Sequence, residues 1–174
     1  MKKKIFGSLL LLILPLFGFA FEETEGNTYK TADRLFHIAR SANKNLVCYD
    51  VNIENGELQT KHPIKVYWVD REEHPGKTEG LSYIQRKLAY GYKLVSNEGN
   101  TCVCSLSAYP KRPLTISKQE DGSYVCLITI NDEQAVLQSL YVKAHPHNPL
   151  NVEYVELRGI SLKTNEVITE RVKR

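Results

Sequence analysis

Little in this sequence marks it as an enzyme. It contains no GxSxG, no HExxH and no glycine-rich phosphate loop, so the common hydrolase, zinc-protease and nucleotide signatures are absent. No cofactor signature is present and none is expected. Charge of one sign is also lacking beyond the first residues. Setting aside Lys2, Lys3 and Lys4, the 23 Lys and Arg fall to 20, against 20 Asp and Glu. That balance removes the electrostatic footprint of nucleic-acid binding and leaves an anionic membrane surface nothing overall to attract. There is no internal repeat, low-complexity tract or interdomain linker. A remainder of roughly 150 residues suits one domain, which at that size buries about 70% of its unfolded surface.

What is present begins with an export pattern. Met1-Lys2-Lys3-Lys4 is cationic, Ile5 to Phe19 is apolar but broken by Gly7, Ser8 and Pro15, and Gly18-Phe19-Ala20 places small residues where signal peptidase reads. The apolar run falls short of the about 20 residues of a comfortable span. The first cysteine is Cys48, which excludes a lipid anchor on a new N-terminal Cys. The expectation is cleavage after Ala20 (signal peptide 1–20), a flexible leader over 21–33 and a single antiparallel β domain over 34–174. That mature chain is expected to be periplasmic or secreted, with no transmembrane anchor.

Cys48, Cys102, Cys104 and Cys126 permit three disulfide pairings. Cys102 and Cys104 share one face of an extended segment, where bridging each other is geometrically poor. Buried free thiols, one disulfide and a metal site stay open in that order; a metal would want two more ligands beside Cys102 and Cys104. Cys48 is out of step with the apolar set Val47, Tyr49, Val51 and Ile53. His145-Pro146-His147 reads as an exposed loop.

Alternating apolar and polar residues between turn signals predict about nine or ten strands and one helix. Asn55-Gly56 and Asp121-Gly122 mark hairpins, because such turns need positive φ. His62-Pro63 interrupts a return strand, and Pro110 and Pro113 bracket a corner. The fold class is therefore mostly β, an antiparallel barrel or sandwich. Tight turns favour a barrel, which has no exposed edges.

The least ordinary stretch is Ile64 to Gly91. It predicts a strand (64–70), a charged turn (71–80) and a short helix (81–90) capped by Gly91. With Tyr92 it holds the single Trp and four of the ten Tyr. Leu81, Ile84 and Leu88 form the expected buried stripe. Gln85 lies on the same side and needs a polar partner beneath it, Arg40 or Asn43. Tyr83, Arg86, Lys87 and Tyr90 are expected outward. On the strand, Ile64, Val66 and Trp68 oppose Lys65, Tyr67 and Val69, so both faces should be covered. Rings with polar tips beside cations suit glycans or peptides. The candidate ligand-binding residues are accordingly Arg40, Asn43, Tyr67, Trp68, Gln85, Lys87 and Tyr90. The plainer alternative is that Tyr and Trp favour strands. Asp70, His74 and Lys87 are the one cluster to inspect for proton chemistry, with a solvated turn as the plainer reading.

Arg40-Ser41-x-Asn43-x-Asn45, Pro63-x-x-Val66-Tyr67-Trp68 and Gln85-Arg86-Lys87-x-Ala89-Tyr90-Gly91 together resemble the domain-of-unknown-function family 4833, small exported bacterial proteins. Ala108-Tyr109, Val152-x-Tyr154 and Thr169-Glu170 extend the similarity over nearly the whole mature domain. The resemblance implies no activity, ligand or catalytic residue, and the cysteines lie outside its pattern. Three functions follow: a non-catalytic domain binding a polar ligand or partner, an envelope-associated scaffold or assembly component, or a hydrolase acting on extracellular polymer.

Overall fold

The computed structural model describes residues 33–173; the expected signal peptide (1–20) and nearly all of the expected leader (21–33) lie outside the described residues. From there β1 (Arg34–Arg40) turns into β2 (Asn43–Val51), and β3 (Ile53–Glu54) pairs with β4 (Glu57–Leu58) as a small separate hairpin. Asn55 and Gly56 sit at φ 53° and 81°, as that turn requires. β5 (Ile64–Val69) and β6 (Thr78–Gly80) follow, then α1 (Tyr83–Gln85), which runs directly into a π-helical turn (Arg86–Tyr90). A meander completes the chain: β7 (Tyr92–Glu98), β8 (Thr101–Leu106), β9 (Tyr109–Lys118), β10 (Tyr124–Ile130), β11 (Glu133–His145), β12 (Asn148–Ser161) and β13 (Val167–Lys173).

The strand order is β6-β5-β2-β1-β11-β10-β9-β8-β7, with β12 on β11 and β13 on β12. β11 sets the shape. β12 pairs along nearly its whole length on one edge. The other edge serves β10 through Glu133–Val136 and β1 through Ser139–Val142. A strand has only two edges, so β10 and β1 lie end to end and their two arms splay apart. The ladder skips Gln138 at that handover. One extra residue shifts the side-chain phase, so Ala135 and Leu137 before it and Leu140 and Ala144 after it are all buried.

Three expectations are corrected here. The sheet is mixed, because β1 runs parallel to β11; hairpin signals report only neighbours in sequence, and these strands are about 100 residues apart. It also curls into a half-barrel rather than closing. Pro110 and Pro113 do not end a strand: β9 runs through both, and the corner survives as a register break in which Ser105 faces Pro113 while Leu106 faces Tyr109.

Both arms contribute to one core. Phe36, Ile38, Val47 and Tyr49 from β1 and β2 meet Leu114, Ile116, Cys126, Ile128 and Ile130 from β9 and β10. Phe36 stacks on Tyr49 at 4.3 Å. All four cysteines are free and buried. Cys102, Cys104 and Cys126 lie in this core, where they act as small hydrophobes. Cys48 faces the other way, with Leu46 and Val69 and against Ala39 and Tyr67. Both faces of β5 are thus covered. On that second face Arg34 and Tyr67 donate to Asp50, and Arg34 Nη2 donates to the Tyr67 hydroxyl at 3.1 Å. Burial, then the bond to Asp50, pushes the Tyr67 phenol up to about 12, and burial pushes the Cys48 thiol up to about 11.

Candidate functional site

The curled sheet fails to close between β5 and β7, and side chains bridge the seam. The Tyr92 hydroxyl accepts from the Ile64 N–H at 3.2 Å and donates to its carbonyl at 3.1 Å. Asn97 donates to the Gln59 and Thr60 carbonyls at 3.3 and 2.9 Å. These bonds satisfy backbone groups that a further strand would otherwise pair. Asn52 positions the approach to the seam through bonds with Pro63, His62 and Gln59.

The short helix roofs one end of this seam. Ser82 and Gln85 form a reciprocal capping box: the Ser82 hydroxyl accepts from the Gln85 N–H at 3.3 Å, and the Gln85 side chain accepts from the Ser82 N–H at 2.9 Å. The next turn widens to a π-turn, with Gly91 at its end. Gly91 is extended (φ −69°, ψ 174°), so the left-handed cap expected from its type is not formed. It must be glycine for a different reason: a Cβ there would lie 1.9 Å from the Arg86 carbonyl oxygen. That carbonyl accepts from the Ser107 hydroxyl at 3.2 Å, and the Gly91 carbonyl accepts from the Ser107 N–H at 2.8 Å.

Behind these bridges lies a groove of about 580 Å³, lined by Asn52, Lys61, His62, Ile64, Lys65, Val66, Tyr67, Leu81, Arg86, Gly91, Tyr92 and Leu94. Ile64, Val66, Leu81 and Leu94 give it apolar walls. Lys61, Lys65 and Arg86 give it cations, with His62 beside them and no carboxylate in the lining.

Of the seven sequence candidates, only Tyr67 lines this groove. Arg40, Trp68 and Tyr90 do come together, but against the inner face of the sheet. Arg40 Nη1 donates to the Tyr90 hydroxyl at 2.7 Å, Trp68 meets Tyr90 edge-on at 5.2 Å, and the Tyr49 hydroxyl donates to the Tyr90 carbonyl at 2.6 Å. Tyr90 is buried, contrary to the expected outward face, and Ile84 and Leu88 are exposed, contrary to the expected stripe. The widened turn breaks the 3.6-residue phase after Gln85, so Tyr90 faces inward in place of Leu88, and Leu81 lies before the first helical residue, Tyr83, so it shares no helical stripe with Ile84. Gln85 spends its amide on the capping box rather than on Arg40 or Asn43. The Asn43 side chain accepts from the Asn45 N–H at 3.2 Å, and Lys87 stands 5.8 Å from the centre of the Tyr83 ring.

Asp70 is occupied in shaping its own turn, accepting from the N–H groups of Glu72, Glu73 and His74. Those bonds hold its carboxyl below the usual range. His74 is exposed and 3.5 Å from it, which matches the solvated-turn reading. Lys61, His62, Lys65, Arg86 and Tyr92 were not gathered by sequence reasoning. The available signal was the basic run Lys61-His62-x-x-Lys65, which has no acid until Asp70.

A second, smaller concavity of about 410 Å³ lies where β13 returns to β9. Its centre is self-neutralised. The register break brings Arg112 out to a fork-to-fork pair with Glu170, both bonds at 2.8 Å, and Glu170 also accepts from the Asn131 N–H at 2.9 Å. The hydrogen bonds from Arg112 hold the Glu170 carboxyl below its usual range.

The architecture of the described residues is thus mostly β, a half-barrel with a basic, side-chain-bridged seam. Residues 36–171 match the family model described as Domain of unknown function (DUF4833), and the chain belongs to that family. No curated protein and no solved structure matches it.

Proposed function

We propose that this chain is an exported, non-catalytic β-domain that binds an anionic polar ligand, a carboxylated or phosphorylated glycan or peptide, in the seam groove. The observation that supports this reading is the sign of the lining: two lysines, an arginine and a histidine around apolar walls, with no acid among the lining residues. Each charge is exposed, so attraction is modest per contact and falls with salt. The tyrosines at either side, Tyr67 and Tyr92, offer ring faces for a sugar or side chain. The export pattern of the first 20 residues would deliver the domain to where such polymers lie.

The test is calorimetric titration with carboxylated and phosphorylated glycan fragments and acidic peptides. Binding is expected to weaken as salt rises and to fall at least ~10-fold in the Lys61→Glu/Lys65→Glu variant, while its thermal midpoint stays near that of the wild type. Equal binding of neutral and anionic probes, or none of either, would sink the reading.

A further inference from the structure

The turn over Ser82–Leu88 presents the one place where large apolar side chains are exposed together on a single short element among the described residues. Tyr83 is 74% exposed, and Ile84 and Leu88 are each 67% exposed. This display is not a fraying end. The capping box fixes one side, Ser107 holds the Arg86 carbonyl, and Leu81, Ala89 and Tyr90 pack into or against the core behind. An apolar cluster held outward on a fixed base marks a surface that something covers.

Its charge points to the occupant. Arg86 and Lys87 stand exposed between Ile84 and Leu88, Lys93 follows, and no Asp or Glu occurs from Leu81 to Asn97. The Lys87 ammonium lies 5.8 Å from the Tyr83 ring centre, so cation and ring are presented together. We infer that this turn docks the domain onto a bilayer surface carrying anionic lipid headgroups. Ile84 and Leu88 enter the acyl boundary, Tyr83 lies at headgroup level, and Arg86 and Lys87 meet lipid phosphates. A convex knob of seven residues favours lipid over protein. A stable protein interface needs roughly 800 Å² per partner with matched shape, whereas a bilayer yields to whatever is pressed into it. The charge balance of the chain beyond Lys2, Lys3 and Lys4 is no objection, because attraction falls off within about a Debye length and the local sign decides. This site does not depend on the seam groove, although Arg86 borders both.

The test places an environment-sensitive fluorophore on the turn of the full chain through Leu88→Cys; the four native thiols are buried and stay unlabelled under native conditions. Vesicles of phosphatidylglycerol should shift the emission to the blue, and vesicles of phosphatidylcholine should not. Adding Ile84→Asp should weaken the apparent vesicle affinity at least ~10-fold, because a carboxylate cannot enter the acyl boundary cheaply. Adding Lys61→Glu/Lys65→Glu should leave the shift intact, which separates this surface from the groove. The proposal falls if the probe stays in water with phosphatidylglycerol, including the case in which the chain binds vesicles through another segment. It also falls if the groove variant abolishes the shift, or if the shift appears without lipid and grows with protein concentration, the signature of a second copy.

Discussion

At the β9–β13 contact a guanidinium meets a carboxylate through two 2.8 Å bonds. At the β5–β7 seam, cations surround a groove with no acid among its lining residues. Both places complete the curl of the same sheet, yet they are built from opposite chemistry. The first fills its bonding capacity internally: Arg112 also reaches the Thr129 carbonyl at 3.2 Å, and Glu170 takes the Asn131 N–H. The Arg112–Glu170 pair leaves no net charge at its centre for a visitor. The second uses neutral side chains, Tyr92 and Asn97, for the structural bridging and leaves its charges to solvent. A polar cavity is a poor guide to binding when its charges already answer each other. The informative one is the cavity whose charges do not.

The sharpest way to break this comparison is Gly91→Ala. The added Cβ would overlap the Arg86 carbonyl, which is backbone and cannot swing aside. A loss of about 3 kcal/mol or more in denaturant melts is expected, on the scale of severe overpacking. A near-wild-type melt would mean the seam does not depend on the π-turn.

Arg112→Ala should cost less, roughly 1–3 kcal/mol, because Glu170 is left partly buried without its main partner. The same pair makes an acid-sensitive term. Folding depresses the Glu170 pKa, so its contribution is complete above the unfolded value of about 4.5 and is lost as pH falls through the lower folded value. In Glu170→Gln the stability curve should be flatter below about pH 4.5. An unchanged acid limb would show that the closed contact is not held by charge.

Tyr92→Phe is the matching change at the open seam. It removes two neutral bonds to Ile64, and about 1 kcal/mol is expected, with no dependence on acid. The smallest effect should come from His37, which sits on the outer face of β1. Burial, then Arg34 and Arg71, lower its pKa. The folded state therefore resists protonation, and stability is lost as pH falls below about 6.5. His37→Gln should remove that slope in melts between pH 7 and 5.

Much of the chain's local order was legible from residues read in series. Asn55-Gly56 and Asp121-Gly122 mark real turns, the two-faced pattern of β5 is covered on both sides, and Cys48 does face away from Val47 and Tyr49. The helix was misread because the 3.6-residue stripe Leu81, Ile84, Leu88 assumes every turn is α. One widened turn is enough to exchange Leu88 for Tyr90. Arg40, Trp68 and Tyr90 lie near one another, but their neighbourhood is interior packing. The groove went unseen because its cations come from the β4–β5 connection, from β5 and from the π-turn, and each is unremarkable alone.

Turn chemistry, side-chain alternation and family membership are properties of short stretches, so the amino-acid order alone determined that this is a β-rich domain of hairpins. The parallel β1–β11 pairing, the unclosed seam and the sign of the charge around it depend on which distant strands share an edge. Only the folded chain decides that, because the energy of pairing and burial is collected between segments that carry no mark of one another.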